Sequence, residues 1–300
     1  MMKNPCRSVL VAAALLAGMA ASAQSFWTAE FVSGAVEYQL KGTKAPLSAG
    51  TKVGEDTTVF LGKGALLELS SGGKRVSLVR EGTYSVRSIA AATGSTTKPG
   101  ILEALGGKLR ALFSGRGEAG IAGVRASDAA SATGFVTGGE EAMKRGEVAM
   151  SSGNYDAAAR DFEYALEEAL PGEEGRVRRL LASALAMQGR QAAALGVLRG
   201  GEREESPAVD MLEATLLLGA GAPDEALAVM RRAFPPASPG GASPALDPAT
   251  AAEAAELEGL VLEAMDKTLE AAGAYRRAMA AAPDSQAAAR AKQRLAALGY

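Results

Sequence analysis

The sequence predicts a multidomain chain, β followed by α: a small antiparallel β-sandwich or barrel, then an α-helical solenoid built from repeated helix pairs. Three observations lead there. Short runs of alternating apolar and polar residues, separated by turn residues, fill Phe26 to Arg87. A quartet of residues with fixed internal spacing recurs four times after Gly139. Glycine and small residues dominate the stretch between the two patterns. A length of 300 residues accommodates two domains.

The first 23 residues read as a secretory signal peptide. Lys3 and Arg7 form a positive end, an apolar run spans Val9 to Ala21, and Ala21-Ser22-Ala23 supplies small residues for cleavage after Ala23. As a membrane anchor the run is short, because a bilayer span needs about 20 residues. No other stretch reaches that length without charges. The expected mature protein is exported, periplasmic or associated with the cell envelope, and without a transmembrane span. Its one cysteine, Cys6, lies inside the signal, so the remainder folds on its hydrophobic core without disulfides.

Residues 24–92 read as the β-domain. Val36, Tyr38 and Leu40 alternate onto one face of a strand. Thr57 to Leu61 is rich in β-formers, and Leu66 to Leu69 joins Arg75 to Val79 across Gly72-Gly73 as a hairpin. Thr83 to Val86 completes about six short strands. Residues 93–138 read as an amphipathic helix and a flexible Gly-rich linker. Leu102, Leu105, Leu109 and Leu112 recur at three- and four-residue spacing. That helix is expected to pack on the β-domain. The other reading, a membrane-surface helix, has only Lys108 and Arg110 for its basic face.

Residues 139–300 carry the repeat. The quartets are Gly146/Ala158/Phe162/Ala165, Ala182/Ala194/Leu198/Gly201, Ala214/Ala226/Met230/Ala233 and Gly259/Ala271/Tyr275/Ala278. Small residues at matched intervals let two helices approach closely. Turns fall at Gly153-Asn154, Gly189-Arg190 and Gly221-Ala222, and Pro223 suits the first turn of its helix. The Ala-to-Ala intervals are 36, 32 and 45 residues, the last enlarged by the Pro/Gly/Ser loop from Pro235 to Ala245. A final helix from Ser285 to Leu298 is expected to cap the stack, with Arg290, Lys292 and Arg294 on its solvated face.

Two resemblances attach to these residues. Gly153-Asn154-Tyr155-Asp156-Ala157-Ala158-Ala159-Arg160-Asp161-Phe162-Glu163-Tyr164-Ala165 closely resembles the tetratricopeptide repeat (TPR) signature, whose period is 34 residues. Val32-Ser33-Gly34-Ala35-Val36, Pro46-Leu47-Ser48-Ala49-Gly50 and the segment Val59 to Leu69 are similar to the FecR-type periplasmic β-domain. Gly123-Val124-Arg125-Ala126-Ser127 departs from that family's terminal strand at its last two residues. The TPR resemblance implies a partner groove lined by the first helix of each pair. By register its candidate residues are Met143, Glu147, Met150, Arg176, Arg179, Met211, Thr215 and Leu218, continued by Glu253, Glu256, Leu260 and Glu263. Arg176 and Arg179 would clamp a carboxylate, and the methionines would give an adaptable floor.

Composition narrows the function. The chain has no histidine, which removes Ser-His-Asp and Cys-His nucleophiles, His-ligated zinc and His general bases. Carboxylate-only catalysis is the remaining enzymatic option, without a supporting pattern. A net charge of −2 from 32 basic and 34 acidic residues gives no nucleic-acid footprint. The basic residues outnumber the acidic ones from Gln24 to Gly138, and the reverse holds from Gly139 onward, so the halves are able to attract each other. The expectation is a non-enzymatic scaffold or adaptor, without metal or cofactor, that binds a protein partner in the envelope through its TPR groove. Its β-domain would contact a second partner or the envelope. The alternative, implied by the FecR-type resemblance, is a sensor of an envelope ligand or cell-wall glycan.

Overall fold

The computed structural model describes residues 26–92, 99–113, 138–201, 203–235 and 246–300. The expected signal peptide, the strand expected near Gly123 and most of the Pro235–Ala245 loop lie outside the described residues.

The β-domain is two antiparallel four-stranded sheets. One has the order β4 (Lys52–Val53), β1 (Trp27–Ser33), β6 (Leu66–Ser71), β7 (Lys74–Leu78). The other has the order β3 (Thr43–Pro46), β2 (Val36–Leu40), β5 (Thr58–Leu61), β8 (Gly82–Ser85). Between them lies a core that includes Trp27, Ala29, Val36, Val59, Leu61, Leu67 and Leu69. The β6–β7 hairpin turns on Gly72 and Gly73 at φ +56° and +79°, values that favour glycine. β3 and β4 were not visible as alternation, because they are four and two residues long. Val86, expected to end a strand, instead starts the short helix α1 (Val86–Ala92), its N–H still bonding to Thr57 O at 3.0 Å.

β6 is buried on both faces. Leu67 and Leu69 point into the sandwich, while Leu66 belongs to the core of the helical half and Glu68 is fully enclosed. An irregularity between Ala29 and Phe31 shifts the register of β1 against β6. Before it Ala29 faces Leu69, and after it Phe31 faces Glu68, so Phe31 is turned away from the sandwich core.

The helical half begins at Gly138. Four consecutive pairs follow: α3 (Gly138–Ser151) with α4 (Tyr155–Glu167), α5 (Glu174–Met187) with α6 (Gln191–Arg199), α7 (Pro207–Gly219) with α8 (Pro223–Ala233), and α9 (Pro248–Ala264) with α10 (Thr268–Ala281). Each second helix also packs on the first helix of the next pair, and α10 packs on α11 (Gln286–Ala297). The first helices touch one another in a row, α5 with α7, α7 with α9, and α9 with α11.

The recurring small residues sit inside these pairs. Ala158, Ala182, Ala194, Ala214, Ala226 and Ala271 are all fully buried. A Cβ added to Gly146 would stand 2.5 Å from the Phe162 ring, and one added to Gly259 would stand 2.4 Å from the Tyr275 ring. Phe162 therefore fills the space above Gly146 within its own pair. In the middle pairs the corresponding residues, Ala182 and Leu198, Ala214 and Met230, are likewise buried. In the first and last pairs a ring faces a glycine, which holds interior packing density.

One turn geometry joins all four pairs. Gly153, Gly189, Gly221 and Asp266 each take a positive φ, at 77°, 75°, 75° and 62°. Each stands five residues before the recurring Ala. The N–H after each of them bonds to the carbonyl five residues back: Asn154 to Ala149, Arg190 to Leu185, Ala222 to Leu217 and Lys267 to Leu262, all at 2.9 Å.

The β-domain docks on α6. The Phe31 ring lies over Gly196, where an added Cβ would come within 2.5 Å of it. Arg75 donates to Gln188 O at 2.9 Å, and Ser77 Oγ accepts from the Ala192 N–H at 3.3 Å. Arg80 reaches Asp224 at 3.4 Å. The remaining amphipathic helix, α2 (Pro99–Phe113), packs on α5 and α7 rather than chiefly on the β-domain.

Candidate partner-binding surface

Among the described residues, the row of first helices has an open end and a covered end. At the open end Met143 and Met150 on α3 are half-buried, and Glu147 between them is exposed. Arg176 on α5 bridges to Glu147 at 3.2 Å, tying the first two pairs together. Arg179, one turn on, donates to Glu204 at 2.9 Å. Both arginines thus already hold a carboxylate of this chain. The Arg176–Glu147 pair is exposed and so weakly held in water, whereas the Arg179–Glu204 pair is partly buried.

At the covered end the expected groove floor is not a free surface. Met211, Thr215 and Leu218 on α7 are only 1%, 2% and 1% exposed. Thr215 Oγ1 donates to Met211 O at 2.7 Å within the same helix. The cover includes α2, whose Ile101, Leu105 and Leu109 enter the same apolar core. These residues recur every fourth position and form one stripe of a helix. The first helices of pairs two and three are therefore spanned by a helix of the chain itself.

Lys108 completes that face. It is 1% exposed and its ammonium donates to Glu253 O at 3.0 Å and Glu256 Oε2 at 3.1 Å, both on α9. Arg290 on α11 grips the same Glu256 carboxylate with two hydrogen bonds of 2.6 and 2.7 Å. Burial alone would push the Glu256 carboxyl up. Lys108 and Arg290 outweigh that and hold it below its ordinary value of 4.5. One turn on, Arg294 pairs with Glu263, which also accepts from the Tyr275 hydroxyl at 2.9 Å. Burial, and then Glu263, pushes the Tyr275 hydroxyl far up. Arg290 and Arg294, expected on a solvated face, instead fasten α11 to α9, and of the three expected cations Lys292 alone is exposed. Such side chains enter a helix interface here because a carboxylate on the facing helix pairs each charge.

Glu68, at the docked edge of the β-domain, is the counterpart. Arg75 and Arg190 approach one of its oxygens to 3.3 and 3.5 Å, yet neither oxygen accepts a well-formed hydrogen bond. Burial dominates, and its carboxyl is raised above 4.5. Sequence reasoning missed Lys108 and Glu68 as buried groups and Arg290 as a half-buried one. The available signal was placement: Lys108 stands beside Leu109 in a short apolar helix, and Glu68 stands between leucines.

Among the described residues no group of three or more Asp, Glu, His or Cys side chains is placed to hold a metal ion. No described helix is long and apolar enough to cross a membrane. Searched against protein-family models and curated proteins, the chain matches none.

Proposed function

We propose that this chain is an exported, non-enzymatic scaffold whose helical half is a TPR-type solenoid and holds a protein partner along its first helices. The observation that carries the reading is the row of first helices, already complementary to a helix: α2 lies along α5 and α7 and reaches α9 through Lys108. A surface that accommodates an amphipathic helix in one chain has the shape and polarity to accommodate a partner's helix. The open end adds an adaptable apolar floor at Met143 and Met150, with Glu147, Arg176 and Arg179 as its charged rim. The lack of histidine supports a binding role over catalysis. In this reading the β-domain, docked through the β4-β1-β6-β7 sheet, offers its other sheet to a second partner or the envelope.

Photocrosslinkers placed at Glu147 and Met150 in the native envelope test the reading. Adducts are expected there and not at Leu269, an exposed control on α10. Changing Arg176→Glu together with Arg179→Glu should weaken those adducts while leaving the thermal melt close to that of the parent. Adducts no different from the Leu269 control would overturn the scaffold.

A further inference from the structure

We propose that α2 is a resident, exchangeable ligand of its own chain, and that the surface beneath it reads a partner helix with apolar residues at positions i, i+4 and i+8 and a lysine at i+7. The inference rests on the scaffold reading and deepens it by naming the partner's chemistry.

Two features mark α2 as a weakly held occupant. The first is Gly106-Gly107 at the middle of the helix. A Cβ built on either meets nothing within 4 Å, so alanine fits at both places and packing does not demand glycine. Glycine in a helix interior costs conformational entropy. A helix of 15 residues has little stability of its own to lose. The second feature is the buried lysine. Desolvating an ammonium consumes most of what its ion pair returns, so Lys108 adds selectivity more than grip. Apolar residues alone would hold α2 more firmly.

The same lysine states what the surface selects. Ile101, Leu105 and Leu109 define the apolar stripe, and Lys108 sets its ammonium on Glu256 and the Glu253 carbonyl. Arg290 on α11 also holds the Glu256 carboxylate by two hydrogen bonds, so the acceptor stays in place when α2 leaves. A competing helix without a cation at that position would leave the Glu256 oxygen facing Lys108 without its second partner. An acidic residue there would be repelled. The occupant is therefore a lysine-bearing amphipathic helix.

The test uses the full chain and a fluorescent synthetic peptide of residues 99–113. Hydrogen exchange of the unaltered chain should be at least tenfold faster in α2 than in α7 and α9. Equal protection would overturn the proposal by showing α2 to be fixed core. Lys108→Glu sets like charge against Glu256 in the resident helix and should raise peptide affinity at least tenfold. Gly106→Ala with Gly107→Ala strengthens the resident helix and should lower it by about tenfold or more. A peptide with methionine in place of its lysine should bind the Lys108→Glu chain about tenfold more weakly. A cooperatively melting Lys108→Glu chain that ignores the peptide would overturn the proposal, as would equal binding of the methionine peptide. If Lys108→Glu prevents folding, the exchange rates and the double alanine variant decide alone. Failure here with the Glu147 and Met150 adducts intact removes the exchange and leaves the scaffold. Loss of the adducts removes the scaffold itself.

Discussion

Gly146 and Gly259 show how one missing methyl group fixes a helix pair. Each faces an aromatic ring too closely for any Cβ. Gly146→Ala should destabilise the fold by about 1–3 kcal/mol through overpacking, and Phe162→Ala by about 3–5 kcal/mol through a cavity. Denaturant titration of both, and of the double variant, should give a strongly non-additive cycle, because the ring and the glycine occupy one space. The 12-residue spacing of small residues was legible in the sequence, since close helix approach dictates it. The direction of Phe162 was not, because a spacing does not tell which neighbour a ring covers.

Two buried carboxylates behave oppositely at this scale. The folded pKa of Glu256 lies below its unfolded value, so its stabilisation is present above about pH 4.5 and is lost as the pH falls through the lower folded value. The folded pKa of Glu68 is raised, so its contribution is full below about 4.5 and is lost as the pH rises through the higher folded value. Glu68→Gln should therefore raise the melting temperature near pH 7, with the gain shrinking toward acid. Glu256→Gln should cost about 3–5 kcal/mol near neutrality, because it strips a buried ion cluster of its anion. Calorimetry across pH separates the two signs.

Elements in this chain end where the backbone tolerates a left-handed residue. Gly189 is the cleanest case: φ is 75° and an added Cβ meets nothing within 4 Å, so only backbone strain is at issue. Gly189→Ala should lower stability by about 1–2 kcal/mol in a thermal or denaturant melt. The turn glycines of the first three pairs were legible for this reason. Asp266 hid the fourth, since an acidic residue more often marks a helix start than a left-handed stop. The helix α2 was legible as an element, while its location was not. Its stripe is equally suited to a β-sheet or to a row of helices, and nothing in the sequence pairs Lys108 with Glu256 on α9.

Among the described residues, the two halves meet through unlike contacts that include an aromatic ring over a glycine, an arginine on a helix-end carbonyl, a hydroxyl under a helix start, an exposed ion pair, the approach of Arg190 to Glu68, and the apolar Leu66 and Val79. The charge asymmetry along the sequence anticipated attraction in general. It did not locate the interface, which the irregularity in β1 decides by turning Phe31 outward. Gly196→Leu should lower the melting temperature and speed proteolysis between the halves, since that side chain would displace the Phe31 ring. Unchanged cleavage would show that the halves are held elsewhere.

The double-sided burial of β6 makes the sandwich a poor soloist. Released as a fragment of residues 26–92, it would turn Phe31, Leu66 and Val79 toward water, together with the enclosed carboxyl of Glu68. Such a piece should self-associate on a sizing column, so the repeats act as this sheet's permanent chaperone as well as its neighbour.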